Sequence, residues 1–278
     1  MMFGGGEVIQ YKTPEQFRVM RRAGLVVAAV HDAMRKAVKP GVTTKELDTI
    51  AADVIRSAGA TPSFLGYDIG LGPYPAVICS SVNDQVVHAI PSDDQVLAEG
   101  DLISIDVGAI VDGWHGDAAI TLPVGEVDAK LLELTRVCEE AMWAGITAAA
   151  TAKRLGDISN AIQKTILREG HYGIVTGFGG HGIGTEMHQD PHVLNYGRRG
   201  KGTRIKPGMA LALEPMITLG TSETVDDEDG WTVVTADGSM AAHVEHSIAL
   251  CEDGIWVLTA PDGGVERLGD LASAMATG

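Results

Sequence analysis

At 278 residues, with 45% of them hydrophobic and a mean hydropathy of +0.10, the chain can bury one large core, while its longest apolar stretches, 141–152 and 211–219, fall short of the ~20 residues a membrane helix needs. A formal charge of −16 excludes a broad electrostatic grip on nucleic acid, which rests on Lys and Arg. The cysteines Cys79, Cys138 and Cys251 are odd in number, far apart and outside any CxxC, which argues against a disulfide framework and against a thiolate zinc site.

Met1 to Gly6 carries neither a basic segment nor an apolar one, so no secretory signal is read and a cytoplasmic location is expected. Thr13-Pro14-Glu15-Gln16 combines an N-cap, a proline at the first helical position and a capping-box glutamine, opening a helix that Pro40-Gly41 must end. A second capping box, Thr43-Thr44-Lys45-Glu46, opens a helix to about Ser57. From Pro75 to Pro123, short β-branched runs punctuated by Gly, Asn and Asp predict an antiparallel sheet. Helical periodicity returns at 128–150 and 156–169, and sheet-like runs resume to about Leu258.

The two halves resemble each other locally. Glu99 to Asp106 parallels Pro207 to Glu214, each a Gly-led alternating strand ending in a carboxylate, and His88-Ala89-Ile90-Pro91 parallels His188-Gln189-Asp190-Pro191 upstream. A duplicated α+β unit follows. No linker or low-complexity tract separates the halves, so residues 1–278 are expected to form a single domain with its core at about 14–258.

The strand period of two puts Asp106 on the face opposite Ile103 and Ile105, beside the small Ser104, and puts Glu214 beside Ala212. Burying a carboxylate without a partner costs several kcal/mol, so a cation is a natural way to stabilise two of them. Asp117 follows Asp106 through Gly108, Asp112-Gly113 and Gly116, a length suited to a hairpin that brings both aspartates to one site. Glu245 is read into a further alternating strand, 241–248, and His181 lies among glycines that let backbone approach a site. Four carboxylates and an imidazole suit a pair of divalent ions such as Mn, Fe, Co or Zn. Each signal alone has an ordinary reading, such as a turn cap or a strand end; their joint order is specific.

In that order the chain resembles the type I methionine aminopeptidases. The resemblance rests on Asn83-x4-His88, Asp106-Val107-x9-Asp117, Gly180-His181-Gly182-Ile183-Gly184, His188, Glu214-Pro215 and Glu245-His246, and it spans about 14–258. It implies a pita-bread fold, α+β, with two pseudo-symmetric halves around a dinuclear metal site. It implies removal of the initiator methionine from nascent chains, with small second residues preferred. Asp106, Asp117 and Glu245 would hold one metal and Asp117, His181, Glu214 and Glu245 the other. Glu214 would handle the proton, His188 would steady the oxyanion, and His88 would contact the peptide around the scissile bond. Tyr67, Tyr74, Cys79, Met187 and Trp231 would wall the pocket for the methionine side chain, which suits a thioether. The chain departs from the pattern at Gly108, where threonine is usual, at Ala89, where glycine is usual, at Met187, where phenylalanine is frequent, and at 68–73, which resembles an insertion.

Two other readings fit parts of the pattern. A proline-directed peptidase of the same fold would carry a large extra N-terminal domain, and a metal-free binding protein of the fold would lack one or more ligands. Type II enzymes carry a helical insertion between the last two glutamates, and here only thirty residues separate Glu214 from Glu245. Arg198, Arg199, Lys201, Arg204 and Lys206 form a basic cluster in an acidic chain, either a solvated turn or a contact to ribosomal RNA phosphate. A monomer without a membrane anchor is expected.

Overall fold

Thr13 begins the first helix as the sequence predicts. Its hydroxyl accepts from Gln16 N at 3.3 Å while its own N–H donates to Gln16 Oε1 at 2.8 Å, so two backbone donors at the helix start are satisfied. Helix α1 (Pro14–Ala37) stops short of Pro40 and buries Phe17, Met20, Val27, Val30 and Met34 at helical spacing, each side chain stabilising the fold by about 1.5–3 kcal/mol. Helix α2 (Thr44–Ser57) opens on its own capping box at Thr43 and Glu46. The computed structural model describes residues 8–277, so the reading of no secretory signal at Met1 to Gly6 lies outside the described residues.

Strands Leu102–Val111 and Trp114–Pro123 form a long hairpin, joined by Asp112 and Gly113. Both turn residues have positive φ, 49° and 79°, as a two-residue turn matched to strand twist requires. Strand Ile78–Val82 pairs along the other edge of Leu102–Val111. Ile103, Ile105 and Val107 face α1 and α2 in one core, leaving Ser104 and Asp106 on the opposite face. Helices α3 (Ala129–Ala149) and α4 (Leu155–Glu169) cover a second core built on Leu211, Leu213, Val244 and Ile248. Each half is thus a helix pair laid on a sheet, the architecture expected from the internal resemblance.

The halves meet along the edge of Trp114–Pro123. Asp117 N donates to Ser247 Oγ at 3.1 Å, Ser247 Oγ donates to Asp117 O at 2.7 Å, and Glu245 N donates to Ala119 O at 2.9 Å. Strand Gly180–Gly182 pairs with Ala210–Leu213, setting His181 opposite Ala212. One reading needs correction. Residues 241–248 are not one strand but two: Ala241–His243 pairs with Met216–Thr218, His246–Leu250 pairs with Ala210–Leu213, and Glu245 sits at the crossing between these sheets. Glu214 lies at the matching break between Ala210–Leu213 and Met216–Thr218.

Candidate metal centre

Asp106 is held opposite Ala119, and Asp117 opposite Gly108, by the hairpin register, so both carboxylates emerge on one face as diagonal neighbours. His181 and Glu214 arrive from the other half. His181 Nε2 lies 3.9 Å from Asp117 Oδ2 and 3.5 Å from Glu214 Oε1. Ligand atoms of Asp117, His181 and Glu245 fall within 4.8 Å of one another, as do those of Glu214, His243 and Glu245.

All five predicted ligands are buried: Asp106 is 8% exposed, Asp117 3%, His181 6%, Glu214 8% and Glu245 2%. Burial pushes each carboxyl well up from the ordinary range, and the neighbouring carboxylates add to the rise in Asp106, Glu214 and Glu245. Asp106 Oδ1, Asp117 Oδ1 and Glu245 Oε1 are buried without a hydrogen-bond partner. Orphaned oxygens on three of four converging acids are the signature of a cation's ligand set. The imidazole fits the same role. His181 Nδ1 stands 2.9 Å from the carbonyl of Gly182, and since a carbonyl only accepts, the proton lies on Nδ1 and the Nε2 lone pair faces the acids. Burial lowers its pKa to about 3, so the ring is neutral and able to ligate.

Above the acids, His188 Nδ1 lies 2.7 Å from the Tyr67 hydroxyl, and its ring meets that of His181 edge-on at 4.4 Å. His88 packs edge-on to Phe178 at 5.9 Å and adopts φ 63°, a left-handed backbone uncommon for a residue with a side chain, which aims the ring into the cleft. An inner cavity of about 80 Å³ runs from the acids to Tyr67, Tyr74, Cys79, Met187 and Trp231, the five residues read as the side-chain pocket. Tyr74 and Trp231 meet edge-on at 5.1 Å, and Tyr74 Oη donates to the carbonyls of Ile78 and Ala89. An outer cleft of about 900 Å³ continues past His88 and His188 to Phe178, Glu186 and Asp190.

Three residues at the site escape the sequence reading. Phe64 and Ile69 wall the inner cavity, and His243 stands 3.6 Å from Glu214 Oε2 through its Nε2. Only His243 leaves a trace in the sequence, two residues before Glu245. The departures noted above also find places. A Cβ on Gly108 would approach Ser63 Cβ to 2.6 Å, so Ser63 and Phe64 fill the space a threonine would need. The 68–73 segment is a turn held by Asp68 Oδ1, which accepts from Gly70 N at 2.7 Å and Gly72 N at 3.1 Å, and it delivers Ile69 to the boundary of both cavities. The predicted basic residues Arg198, Arg199, Lys201, Arg204 and Lys206 are all exposed, about the N-terminal turn of α4.

Two helix-backed sheets cupping a buried set of acids with one neutral imidazole define a metallopeptidase of pita-bread architecture. The family model for metallopeptidase family M24 matches residues 18–252. Methionine aminopeptidase 1 of Mycobacterium tuberculosis is 51% identical over 263 residues, covering 92% of this chain and 96% of that protein. Methionine aminopeptidase 1 of Bacillus subtilis is 46% identical, covering 89% and 98%. The solved methionine aminopeptidase of Thermotoga maritima superposes with a TM-score of 0.87 at 41% identity, covering 91% of this chain and 99% of that one. The Xaa-Pro dipeptidase of Bacillus anthracis, at 22% identity and a TM-score of 0.71, shares the fold, and this chain covers only 62% of its length. The chain belongs to metallopeptidase family M24 and, within it, to the methionine aminopeptidases.

Proposed function

We propose that the chain cleaves the peptide bond after an N-terminal methionine, with Asp106, Asp117, His181, Glu214 and Glu245 holding two divalent cations. The converging orphaned carboxylate oxygens carry this reading, supported by the lone pair that His181 turns toward them. A cation bound there supplies a Lewis acid that polarises a carbonyl and lowers the pKa of a bound water toward neutrality. The oxygen-rich set suits cobalt, manganese, iron or zinc. Asp117 and Glu245, central to the cluster, fit the bridging positions.

The remaining steps belong to the protein's own groups. Glu214, at the meeting of the inner and outer cavities, takes a proton from the attacking water and returns it to the leaving amine. Desolvation at the cleft wall lowers the pKa of the His188 ring from its ordinary value, which favours the neutral form, although the residue is exposed at the cleft mouth. A proton donated by Tyr67 to Nδ1 leaves the ring N–H on Nε2, free to donate to the oxyanion. His88, on the opposite wall of the outer cleft, contacts the peptide next to the scissile bond. The methionine side chain enters the end of the cavity walled by Tyr67, Tyr74, Cys79, Met187 and Trp231, an apolar and aromatic cluster that favours an unbranched thioether over a charged or β-branched first residue.

Activity is tested by kcat/KM on Met-Ala-Ser and on peptides varied only in the first or only in the second residue, after chelation and addition of each metal anaerobically. Methionine first and Gly, Ala or Ser second should be favoured. Comparable cleavage of Met-, Val- and Lys-initiated peptides, or a requirement for proline in second place, would overturn the reading.

With nascent chains as substrate, the site of action is the cytoplasm, and the enzyme acts as a monomer. No helix among the described residues is long and apolar enough to cross a membrane. The exposure of Arg198, Arg199, Lys201, Arg204 and Lys206 supports a contact with ribosomal RNA phosphate, the alternative being a solvated basic turn. Ribosome co-sedimentation unchanged after neutralising all five would remove that contact.

A further inference from the structure

His243 is the one imidazole around the acids to which the reaction as described gives no task. It is 1% exposed, and its Nε2 is buried without a hydrogen-bond partner. The acceptors around that nitrogen are the carboxylates of Glu214 and Glu245, whose ligand atoms lie within 4.8 Å of it and of each other. Glu214 stands between two imidazoles, with Oε1 at 3.5 Å from His181 Nε2 and Oε2 at 3.6 Å from His243 Nε2.

The backbone beneath His243 is fixed more firmly than a pocket wall requires. Its N–H is shared between Ser104 Oγ at 3.2 Å and Thr121 Oγ1 at 3.1 Å, and its carbonyl accepts from Thr121 Oγ1 at 2.7 Å. The two hydroxyls are themselves 2.9 Å apart. Strand pairing sets His243 opposite Met216, two residues beyond Glu214. The His243 backbone is therefore held beside the Glu214 segment, and closing the 3.6 Å gap to hydrogen-bond length needs only a small turn of either side chain.

We propose that His243 is a positioning residue for Glu214, its Nε2–H donating to Oε2 so that Oε1 alone is presented to the cation and to the proton in transit. The proposal rests on the metalloaminopeptidase reading of the site. A neutral imidazole has one N–H, and placing it on the outer oxygen fixes which way the carboxylate faces. Ligating carboxylates are commonly held this way, and losing such a partner costs 10–100-fold in metal affinity or activity.

The test compares chelator-stripped wild type, His243→Gln, which keeps an N–H donor, and His243→Leu, which does not. Cobalt titration calorimetry gives the number of ions and their affinity, the visible cobalt spectrum gives ligand geometry, and Met-Ala-Ser hydrolysis gives kcat and KM. His243→Leu should bind as many ions as wild type, with affinity or kcat about 10–100-fold lower, an altered visible band and an unchanged KM. His243→Gln should restore most of the loss. Wild-type behaviour of His243→Leu overturns the proposal, and loss of a whole cobalt equivalent from both variants overturns it in favour of direct ligation. Independently of whether the variants fold, ¹⁵N NMR of histidine-labelled wild type reads the tautomer: a proton on Nε2 supports the proposal and one on Nδ1 overturns it. A wild type inactive on methionyl peptides would instead sink the functional reading and leave the tautomer result standing.

Discussion

Asp117 and His188 make different demands on the same cluster, and separate measurements tell them apart. Asp117 is 3% exposed with an orphaned oxygen, and asparagine in its place would keep the shape but bring no charge to balance a cation. Asp117→Asn should abolish turnover and lower the metal content measured by atomic emission; near-normal turnover with full metal would exclude Asp117 as a bridge. His188 has its Nδ1 engaged by Tyr67 and stands above the acids, not among them. His188→Ala should therefore reduce kcat by roughly 10²–10³, the cost of removing one oxyanion donor, while metal content stays unchanged. Loss of metal from that variant would make His188 a ligand. The donors were legible because each lies where strand parity or a glycine-flanked segment marks it: Asp106 beside Ser104, Glu214 beside Ala212, His181 between Gly180 and Gly182. Phe64 and Ile69 were not. The resemblance marks Tyr67 and Tyr74 on the same loop as pocket residues, but it does not say that Phe64 and Ile69 join them in the wall.

The helices were legible to within a residue or two, because capping boxes and Pro40 are local chemistry that tertiary contacts do not have to supply. The strand at 241–248 was legible only in its alternation. Period two says which face a side chain takes, not which sheet the strand joins, so the exchange of partners at Val244 and Glu245 left no sequence mark. Another feature hidden at this scale is the contact of α1 with Trp114–Pro123, where a Cβ on Gly116 would lie 2.7 Å from Gly24 N. A Cβ on Gly24 would run into the carbonyl of Leu258. In a helix interior Gly→Ala normally gains about 0.5–1 kcal/mol. Here the forced shift of α1 costs about 1–3 kcal/mol, so the clash wins. Gly24→Ala should lower the denaturant midpoint, and a stabilised variant would mean that α1 stands off the sheet.

The two halves are joined through residues of the candidate metal centre, since Ser247 bonds both N and O of Asp117, and Glu245 pairs with Ala119. Stability of the whole molecule should therefore follow the charge state of that centre. Buried His31, His181 and His243 have pKa values lowered to about 3 by desolvation, and half-buried His88 and His246 to about 4. Each binds fewer protons folded than unfolded below about 6.5, the unfolded histidine value, so their contribution is present above that pH and is lost as pH falls through it toward the folded values. The centre's carboxyls work the other way. Desolvation raises them, Asp117 to about 7, so above about 4 the metal-free folded state binds more protons than the unfolded one, and stability falls as pH rises. Between about 4 and 6.5 the two groups oppose each other; above 6.5 only the carboxyls act. The chelated protein should then lose thermal stability as pH rises above about 6.5 and through the folded Asp117 value of about 7. A bound divalent cation takes the place of those protons, so reloaded protein should show a flat profile and a Tm gain that widens with pH. Binding should also release protons, seen as a calorimetric heat that varies with the ionisation enthalpy of the buffer. A Tm of the chelated protein that stays constant across that range, with no buffer dependence of the heat, would show that the acids are not held protonated in the absence of metal, and the cluster would lose its electrostatic reason to bind a cation.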